Sequence, residues 1–258
     1  MRDPGLSEAI RAVGGISELA RQIGISQPSV SNWVRVPAER VVSVEAVTGV
    51  ARAVLRPDLY DEKKSAGDVD EVDIARAQEY SLLAALLTRA PDAALLSKLS
   101  QVRAGASPLG LAHAALAEAA ENGTAEKIER EFFDLFIGLG RGELMPYGSY
   151  YLTGFLHERP LARLREDLGR IGIARADGVV EPEDHAGILC EIMSSLASRR
   201  LPAPPDSDRL IFEKHMAPWI GRFFTDLQNA EAANFYRQVG TLGRVLTEIE
   251  MEAFALPA

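Results

Sequence analysis

The chain has 258 residues, of which 47% are hydrophobic and 25% charged, and its formal net charge is −9. A globular protein of this size buries enough surface to fold without metal or disulfide support. Its only cysteine, Cys190, excludes an internal disulfide and any zinc site built from several cysteines. We therefore predict no resident cofactor and no metal.

Nothing in the sequence indicates a membrane segment or a secretion leader. The longest apolar run, "LLAALL", falls well short of the roughly 18 residues that span a bilayer. The opening stretch "MRDPGLSEAIRAVGG" contains acidic residues and has no apolar core of the kind found in signal peptides. These features predict a cytoplasmic protein without a membrane span.

Charge is distributed unevenly along the chain. The first 60 residues hold seven arginines and six acidic residues, a net charge of +1, so the remainder carries −10. Helical periodicity dominates throughout, and no run alternates apolar and polar residues as a strand would. We predict an all-α protein with a small helix-turn-helix domain (1–60, the head), a charged linker (61–72) and a larger all-helical domain (73–258, the body).

The head contains the spacing of a helix-turn-helix in "ISELARQIGISQPSVSNWVR". Glycine permits the turn, and the apolar residues are spaced to pack both helices on one core, namely Leu19, Ala20, Ile23, Ile25, Val30 and Trp33. The polar side chains Gln27, Ser31, Asn32 and Arg35 would then face outward, where a recognition helix meets DNA. The alternative is a helical hairpin that contacts no DNA.

With the following "VPAERVVSVEAVTGVARAVLRPDLY", residues 6–60 resemble the Cro/YdaS family of small DNA-binding domains. The resemblance implies DNA as a partner. The head's charge of about +1 releases few counterions from DNA, so tight binding would require a homodimer or other support.

The body begins with longer helices. "DIARAQEYSLLAALLTRA" places Ile74, Tyr80, Leu83, Ala84 and Leu87 on one face. Ser107, Pro108 and Gly123 have the positions of an N-cap, a first helical residue and a residue past the helix end. The final helix has an apolar register of Ala233, Tyr236, Val239, Leu242, Val245, Leu246 and Ile249.

The segment "EPEDHAGILCEIM" concentrates four acids, a histidine and the cysteine. A metal site lacks a second histidine at helical spacing, and paired carboxylates are also expected where a helix simply begins. On that simpler interpretation Pro182 is the first helical residue, Glu183 and Asp184 lie in the first turn, and Ile188, Leu189 and Ile192 enter the core.

Further motifs carry a second resemblance. "EREFFDLFIGLG", "PYGSYYLTGF", "EPEDH" and "HMAPW" follow one another as they do in the TorD/DmsD/NarJ-type chaperones, over residues 73–254. That resemblance implies a chaperone for a molybdenum-cofactor oxidoreductase, with formate dehydrogenase favoured as the client, which binds the client's twin-arginine signal peptide. The implied peptide-binding residues are Tyr147, Tyr150, Glu181, Asp184, His185, His215, Pro218 and Trp219.

The residues themselves suggest the same partner. An acidic cluster beside aromatic side chains complements a peptide with two guanidinium groups followed by an apolar stretch. We expect apolar contacts to supply affinity and carboxylates to supply selectivity. The alternatives are a transcription regulator whose body is a sensor, and, less favoured, an enzyme, since "GLGRGE" lacks the residues of a phosphate-binding loop.

Overall fold

The computed structural model describes residues 2–57, 70–103, 105–175 and 181–255. The chain divides into two compact units, Met1–Asp68 and Val69–Ala258. Every regular element among the described residues is a helix, which confirms the all-α prediction. Residues 61–69 of the predicted linker lie outside the described residues. No helix in the described ranges is both long and apolar enough to cross a membrane.

The first unit is a cluster of short helices around one small core. The helices are α1 (Pro4–Ala12), α2 (Ile16–Gln22), α3 (Gln27–Ser31), a 3₁₀ turn (Ala38–Arg40), α4 (Val41–Thr48) and α5 (Arg52–Leu55).

The helix-turn-helix of this unit is built as the spacing predicts. Leu19, Ala20 and Val30 are buried, and Ile23, Ile25 and Trp33 pack against them. Gly24 has a φ of 71°, a left-handed conformation that glycine adopts without the strain of a Cβ atom. The turn between α2 and α3 is therefore fixed by one glycine and closed by apolar contacts.

The second unit contains the remaining helices. They are α6 (Glu71–Thr88), α7 (Ala93–Leu99), α8 (Pro108–Asn122), α9 (Ala125–Phe132), α10 (Gly148–Thr153), α11 (Arg159–Arg170), α12 (Ala186–Ala197), α13 (Ser207–Ile211), α14 (Ile220–Asn229) and α15 (Phe235–Ala255). One π-helical turn (Phe133–Ile137) follows α9 and another (Phe212–Met216) follows α13. The most extensive packing joins α6 to α12 and α14 to α15.

The helix boundaries confirm several predictions. Ser107 caps α8 by accepting a hydrogen bond from the Gly110 N–H, and Gly123 follows the helix end. Tyr80, Leu83, Ala84 and Leu87 are buried on α6, whereas Ile74 is exposed. Ile249 is likewise exposed near the end of α15, although the rest of its predicted register is buried. The two outliers lie near helix ends, where the core no longer covers the apolar face.

The predicted start of α12 is wrong. The helix begins at Ala186 with His185 as its N-cap, so Pro182, Glu183 and Asp184 precede it in a turn. The core assignments hold, since Leu189, Cys190 and Ile192 are buried and Ile188 packs against them. Burial raises the pKa of the Cys190 thiol to about 12, so the thiol stays protonated.

A buried ion-pair network joins the two ends of the second unit. The Arg76 guanidinium donates to both carboxylate oxygens of Glu250, at 2.7 and 2.8 Å. Arg76 also pairs with Asp73 and Asp208, and the Tyr80 hydroxyl donates to Glu250 at 3.0 Å. Glu250 is fully buried, so these partners replace the water that its charge would otherwise require.

Candidate functional site

The predicted motifs meet because two irregular segments pair with each other. Tyr147 and His185 form an isolated antiparallel bridge. The Gly148 N–H donates to the Asp184 carbonyl at 2.9 Å, and the Ala186 N–H donates to the Pro146 carbonyl at 2.8 Å. The start of α10 is thereby held against the start of α12, although 35 residues of sequence separate Ser149 from Asp184.

The paired segments 146–149 and 184–186 form a junction, and Asp184 is its buried carboxylate. Only 3% of the residue is exposed. Its Oδ2 accepts a hydrogen bond from the Ser149 N–H at 2.7 Å, whereas its Oδ1 is buried and has no hydrogen-bond partner among the described residues. An unsatisfied buried carboxylate oxygen is costly, so it marks a place where a donor from outside the chain would be stabilised.

The neighbouring acids already have partners within the chain. The Tyr147 hydroxyl donates to Glu181 Oε1 at 2.6 Å, and Arg165 pairs with Glu183 at 2.8 Å. Burial opposes ionisation of Glu183, but the Arg165 hydrogen bond, a backbone hydrogen bond and the charge of Arg165 together hold the Glu183 pKa below its ordinary value. Glu181 and Glu183 are therefore engaged within the chain and do not form one open acidic surface with Asp184.

His185 has a structural task in the same junction. Its Nδ1 accepts a hydrogen bond from the Gly187 N–H at 3.0 Å, which caps α12. The imidazole also packs edge-on against Tyr147, with ring centroids 5.2 Å apart. Burial lowers the His185 pKa despite the opposing charges of Glu181 and Asp184, so the ring stays neutral and can accept this bond.

Trp219 lies behind the junction. The residue is 2% exposed, and its indole Nε1 donates to the His215 carbonyl at 2.7 Å. A Cβ atom added at Gly148 would come within 2.9 Å of that nitrogen, so only glycine fits against the indole here. Trp219 therefore supports the junction from the core and offers almost no surface to a ligand.

His215 connects this support to α11. Its Nε2 donates to Asp167 Oδ2 at 2.9 Å, with Lys214 and Arg170 also beside that carboxylate. The His215 hydrogen bond holds the pKa of Asp167 below its ordinary value against the effect of burial. Asp167 is thus a buried anion fixed by cationic neighbours.

A cleft of about 380 Å³ opens at this junction. Its apolar wall consists of Leu152, Pro160 and Leu164. Asp184, His215 and Gly148 contribute from the predicted motifs, and the charged lining also includes Arg163, Glu166, Asp167, Arg170 and Lys214. The mouth therefore carries both signs of charge, which differs from the acidic surface that the sequence suggested.

The eight predicted peptide-binding residues have different positions. Asp184 and His215 line the cleft, while Tyr147, Glu181, His185 and Trp219 lie in the junction that shapes it. Tyr150 lies elsewhere, where Arg141 donates to its hydroxyl at 2.8 Å. Pro218 is exposed in the turn before α14.

The predicted DNA-facing side chains lie on α3 and just after it. Gln27, Asn32 and Arg35 are exposed, and Ser31 is partly exposed. The Gln27 side chain donates to the Ser31 hydroxyl at 3.1 Å, which orients both groups on α3. Two polar contacts that sequence reasoning missed hold the start of the chain beside α3, from Arg2 to the Ser31 carbonyl and from the Asp3 N–H to the Val34 carbonyl.

Comparison with known proteins agrees with this division. The model of the family described as "Nitrate reductase delta subunit" matches residues 103–225, and that described as "Bacterial toxin YdaS" matches residues 6–64. The second unit is TorD-like, and the first is YdaS-like. Residues 103–225 contain the whole cleft, including the predicted motifs around Gly148, Asp184 and His215.

Individual relatives support both halves. The chaperone protein TorD of Vibrio cholerae serotype O1 is 26% identical over 125 residues, which cover 45% of this chain and 57% of that protein. A probable Tat proofreading chaperone DmsD of Haemophilus influenzae is 29% identical over 124 residues, covering 47% of this chain and 59% of its own length. The chain thus spans less than two thirds of the length of these two relatives.

A third relative matches the YdaS-like unit. The putative transcriptional regulator YdaS of Escherichia coli K12 is 41% identical over 58 residues, which cover 20% of this chain and 59% of that protein. The YdaS family match over residues 6–64 includes the helix-turn-helix and its exposed polar residues.

Sequence reasoning missed the contribution of α11 to the TorD-like cleft. Arg163, Asp167 and Arg170 line it, yet the sequence "RPLARLREDLGR" looks like any amphipathic surface helix. One feature of this helix could have been noticed in the sequence. Asp167 is a charged residue on the apolar side of the helix, with Leu164 and Leu168, and the structure buries it. Its partner His215 is 48 residues away, so their meeting is a tertiary effect.

Proposed function

We propose that the TorD-like unit is a chaperone that binds the twin-arginine signal peptide of a molybdenum-cofactor oxidoreductase. The observation that carries the proposal is that Asp184 lines a cleft with an apolar wall while its buried Oδ1 has no partner among the described residues. The relatives TorD and DmsD, both named as chaperones, support binding over catalysis. Such a protein acts in the cytoplasm, before its client is exported.

A guanidinium group suits the Asp184 site for chemical reasons. It has five N–H donors in a planar fork and remains charged at any physiological pH. One donor would satisfy Oδ1, and the remaining edge could reach water at the cleft mouth. Hydrogen bonds to charged groups contribute about 1.5–3 kcal/mol each, enough to distinguish an arginine from a residue that lacks donors.

The apolar part of the peptide has its own surface beside the cleft. Leu152 lines the cleft and is 44% exposed, and Phe155 and Leu156 follow with exposures of 69% and 38%. Burial of about 400 Å² of apolar peptide surface would contribute roughly 10 kcal/mol before association costs. Leu152 and Phe155, rather than the buried Trp219, are therefore the proposed apolar contacts.

Selectivity follows from burial and not from total charge. Arg163, Arg170 and Lys214 offset the acids at the mouth, so general attraction of a basic peptide is weak. The buried Asp184 carboxylate is exempt from most solvent screening and can therefore discriminate between donors. A formate dehydrogenase-like client is favoured because the sequence resembles the family members that are encoded beside formate dehydrogenases.

For the YdaS-like unit we propose DNA binding as a homodimer through Gln27, Ser31, Asn32 and Arg35. The exposure of these polar groups on and just after α3 and the relative named as a putative transcriptional regulator support this function. The second candidate for the whole chain is therefore a transcription regulator whose TorD-like unit senses a ligand. Purified client that gains cofactor equally well with and without the chain would favour the regulator.

The test of the peptide site is Asp184→Asn, assayed by calorimetry with a synthetic twin-arginine leader peptide. The asparagine carbonyl can still accept from Ser149, but its amide places a donor where a guanidinium must donate. We expect about 10- to 100-fold weaker binding with an unchanged circular dichroism spectrum. Glu183→Gln is the matched control, because Glu183 is already paired with Arg165, and it should bind as the wild type does. Equal affinities of the wild-type and Asp184→Asn proteins would disprove the assigned site.

A further inference from the structure

The segment before α1 holds an arginine against the proposed recognition helix. The Arg2 guanidinium donates to the Ser31 carbonyl at 3.1 Å, at the carboxyl end of α3. The Asp3 N–H donates to the Val34 carbonyl at 2.8 Å, and the Asp3 carboxylate accepts from the Gly5 N–H at 2.9 Å. The Arg2 side chain thus contacts the last residue of α3, and its neighbour Asp3 holds the segment to α1 and to Val34.

Most of the hydrogen-bonding capacity of Arg2 remains available. A guanidinium has five N–H donors, and the Ser31 carbonyl uses one of them. Arg2 is exposed, and no carboxylate pairs with it within the described part of the chain, since Asp3 is engaged by the backbone of α1. A cation that is positioned but not neutralised therefore lies at the carboxyl end of α3, on the Ser31 carbonyl.

We propose that Arg2 binds a DNA backbone phosphate next to the bases that α3 faces. This inference rests on the proposed DNA binding of the YdaS-like unit and assigns to it a contact outside the helix-turn-helix. A phosphate offers acceptor oxygens to the open edge of the guanidinium. Phosphate contacts fix the register of a protein on the duplex, so Arg2 would position α3 and leave sequence selection to Gln27 and Asn32.

One phosphate contact should have a large effect on DNA affinity because the unit has a low net positive charge. Each phosphate contact contributes about −0.9 to the slope of log affinity against log salt on B-DNA. At a salt concentration of about 0.1 M that term corresponds to roughly an eightfold change in affinity, if the contact contributes nothing near 1 M. In a unit of net charge near +1, the loss of one contact should be easy to measure.

The experiment measures the binding of the full chain to a labelled duplex from upstream of its own coding sequence, over a range of salt concentrations. Arg2→Gln keeps a donor for the Ser31 carbonyl but removes the charge. For each protomer bound, we expect about eightfold weaker binding near 0.1 M salt and a slope smaller by about 0.9. Arg2→Lys should restore most of the slope because it retains the charge.

Arg11→Gln is the matched control. It removes the same charge from an exposed site near the other end of α1, about 13 Å away for a helix of nine residues. Equal losses for Arg2→Gln and Arg11→Gln would reduce the effect to net charge and overturn the proposal, as would wild-type affinity of Arg2→Gln. A wild-type chain that binds no duplex at low salt would instead refute the DNA function of the unit, and this contact with it.

Discussion

His185 shows how one residue can limit the conditions under which the junction is stable. Its Nδ1 can cap α12 only while that nitrogen is unprotonated. Burial lowers the folded-state pKa below the ordinary value of 6.5, so the unfolded chain takes up a proton at a higher pH than the folded chain does.

The expected result is a loss of stability as the pH falls below about 6.5 toward the lowered folded-state pKa of His185. Denaturant unfolding at a series of pH values measures this slope. His185→Asn supplies another good N-cap without a titrating ring, so the slope in this window should flatten. The Asp167 carboxylate contributes only at more acidic pH, because its folded-state pKa is lowered from 3.8. If the free energy of unfolding of the wild type does not change between about pH 7 and about pH 5, the capping role assigned to neutral His185 is wrong.

At the scale of single elements, α15 depends on a carboxylate from another helix. Glu131 accepts hydrogen bonds from the N–H groups of Asn234, Phe235 and Tyr236, at 2.7, 3.1 and 2.6 Å. These are the donors that the first turn of a helix leaves unpaired. Glu143 likewise accepts hydrogen bonds in the preceding turn, from the N–H groups of Glu231 and Ala232.

Glu131→Ala should therefore lower the free energy of unfolding by about 2–3 kcal/mol, because several charge-assisted hydrogen bonds are lost together. Glu131→Gln retains one acceptor oxygen and should cost about 1 kcal/mol. Glu129→Ala, at an exposed position on the same helix, is the control and should change stability little. Thermal and urea unfolding measure all three, and equal effects of Glu129→Ala and Glu131→Ala would show that the cap is not the cause.

The elements also show what the sequence could and could not predict. The helix from Pro108 to Asn122 follows from local signals, since Ser107, Pro108 and Gly123 agree with one another and no distant contact competes. The start of α12 has equally good local signals at Pro182, yet it is displaced to Ala186. Asp184 and His185 are held instead by backbone pairing with residues 146–148, which no local pattern encodes. For the same reason the sequence located Asp184 but not the α11 side of its cleft.

At the scale of the whole molecule, the two proposed binding functions lie on one chain, so binding at one can change affinity at the other. A YdaS-like unit of net charge near +1 would bind DNA weakly alone, so small changes in its pairing would alter DNA occupancy. If leader peptide changes DNA affinity, DNA must change peptide affinity by the same factor, because the two equilibria share one cycle.

We expect the twin-arginine peptide to change operator affinity by about 5- to 150-fold, the usual range for coupling of 1–3 kcal/mol. A fluorescence titration of promoter DNA with and without saturating peptide measures the factor. Asp184→Asn supplies the control, since it should retain DNA affinity while losing the response to peptide. Identical DNA affinities in the presence and absence of peptide would show that the two units only share a chain.

The buried pair of Arg76 and Glu250 has a consequence for any attempt to move the cleft into another protein. Residues 103–225 contain every side chain that lines the cleft, but Arg76, Glu250 and the backbone partners of Glu131 and Glu143 all lie outside that range. A fragment of residues 103–225 would contain the cleft but lack these contacts, which hold its helices together. The fragment to transfer is therefore residues 70–255. A chimera or truncation that begins after α6 or ends before α15 would contain the cleft but lack the helices that stabilise it.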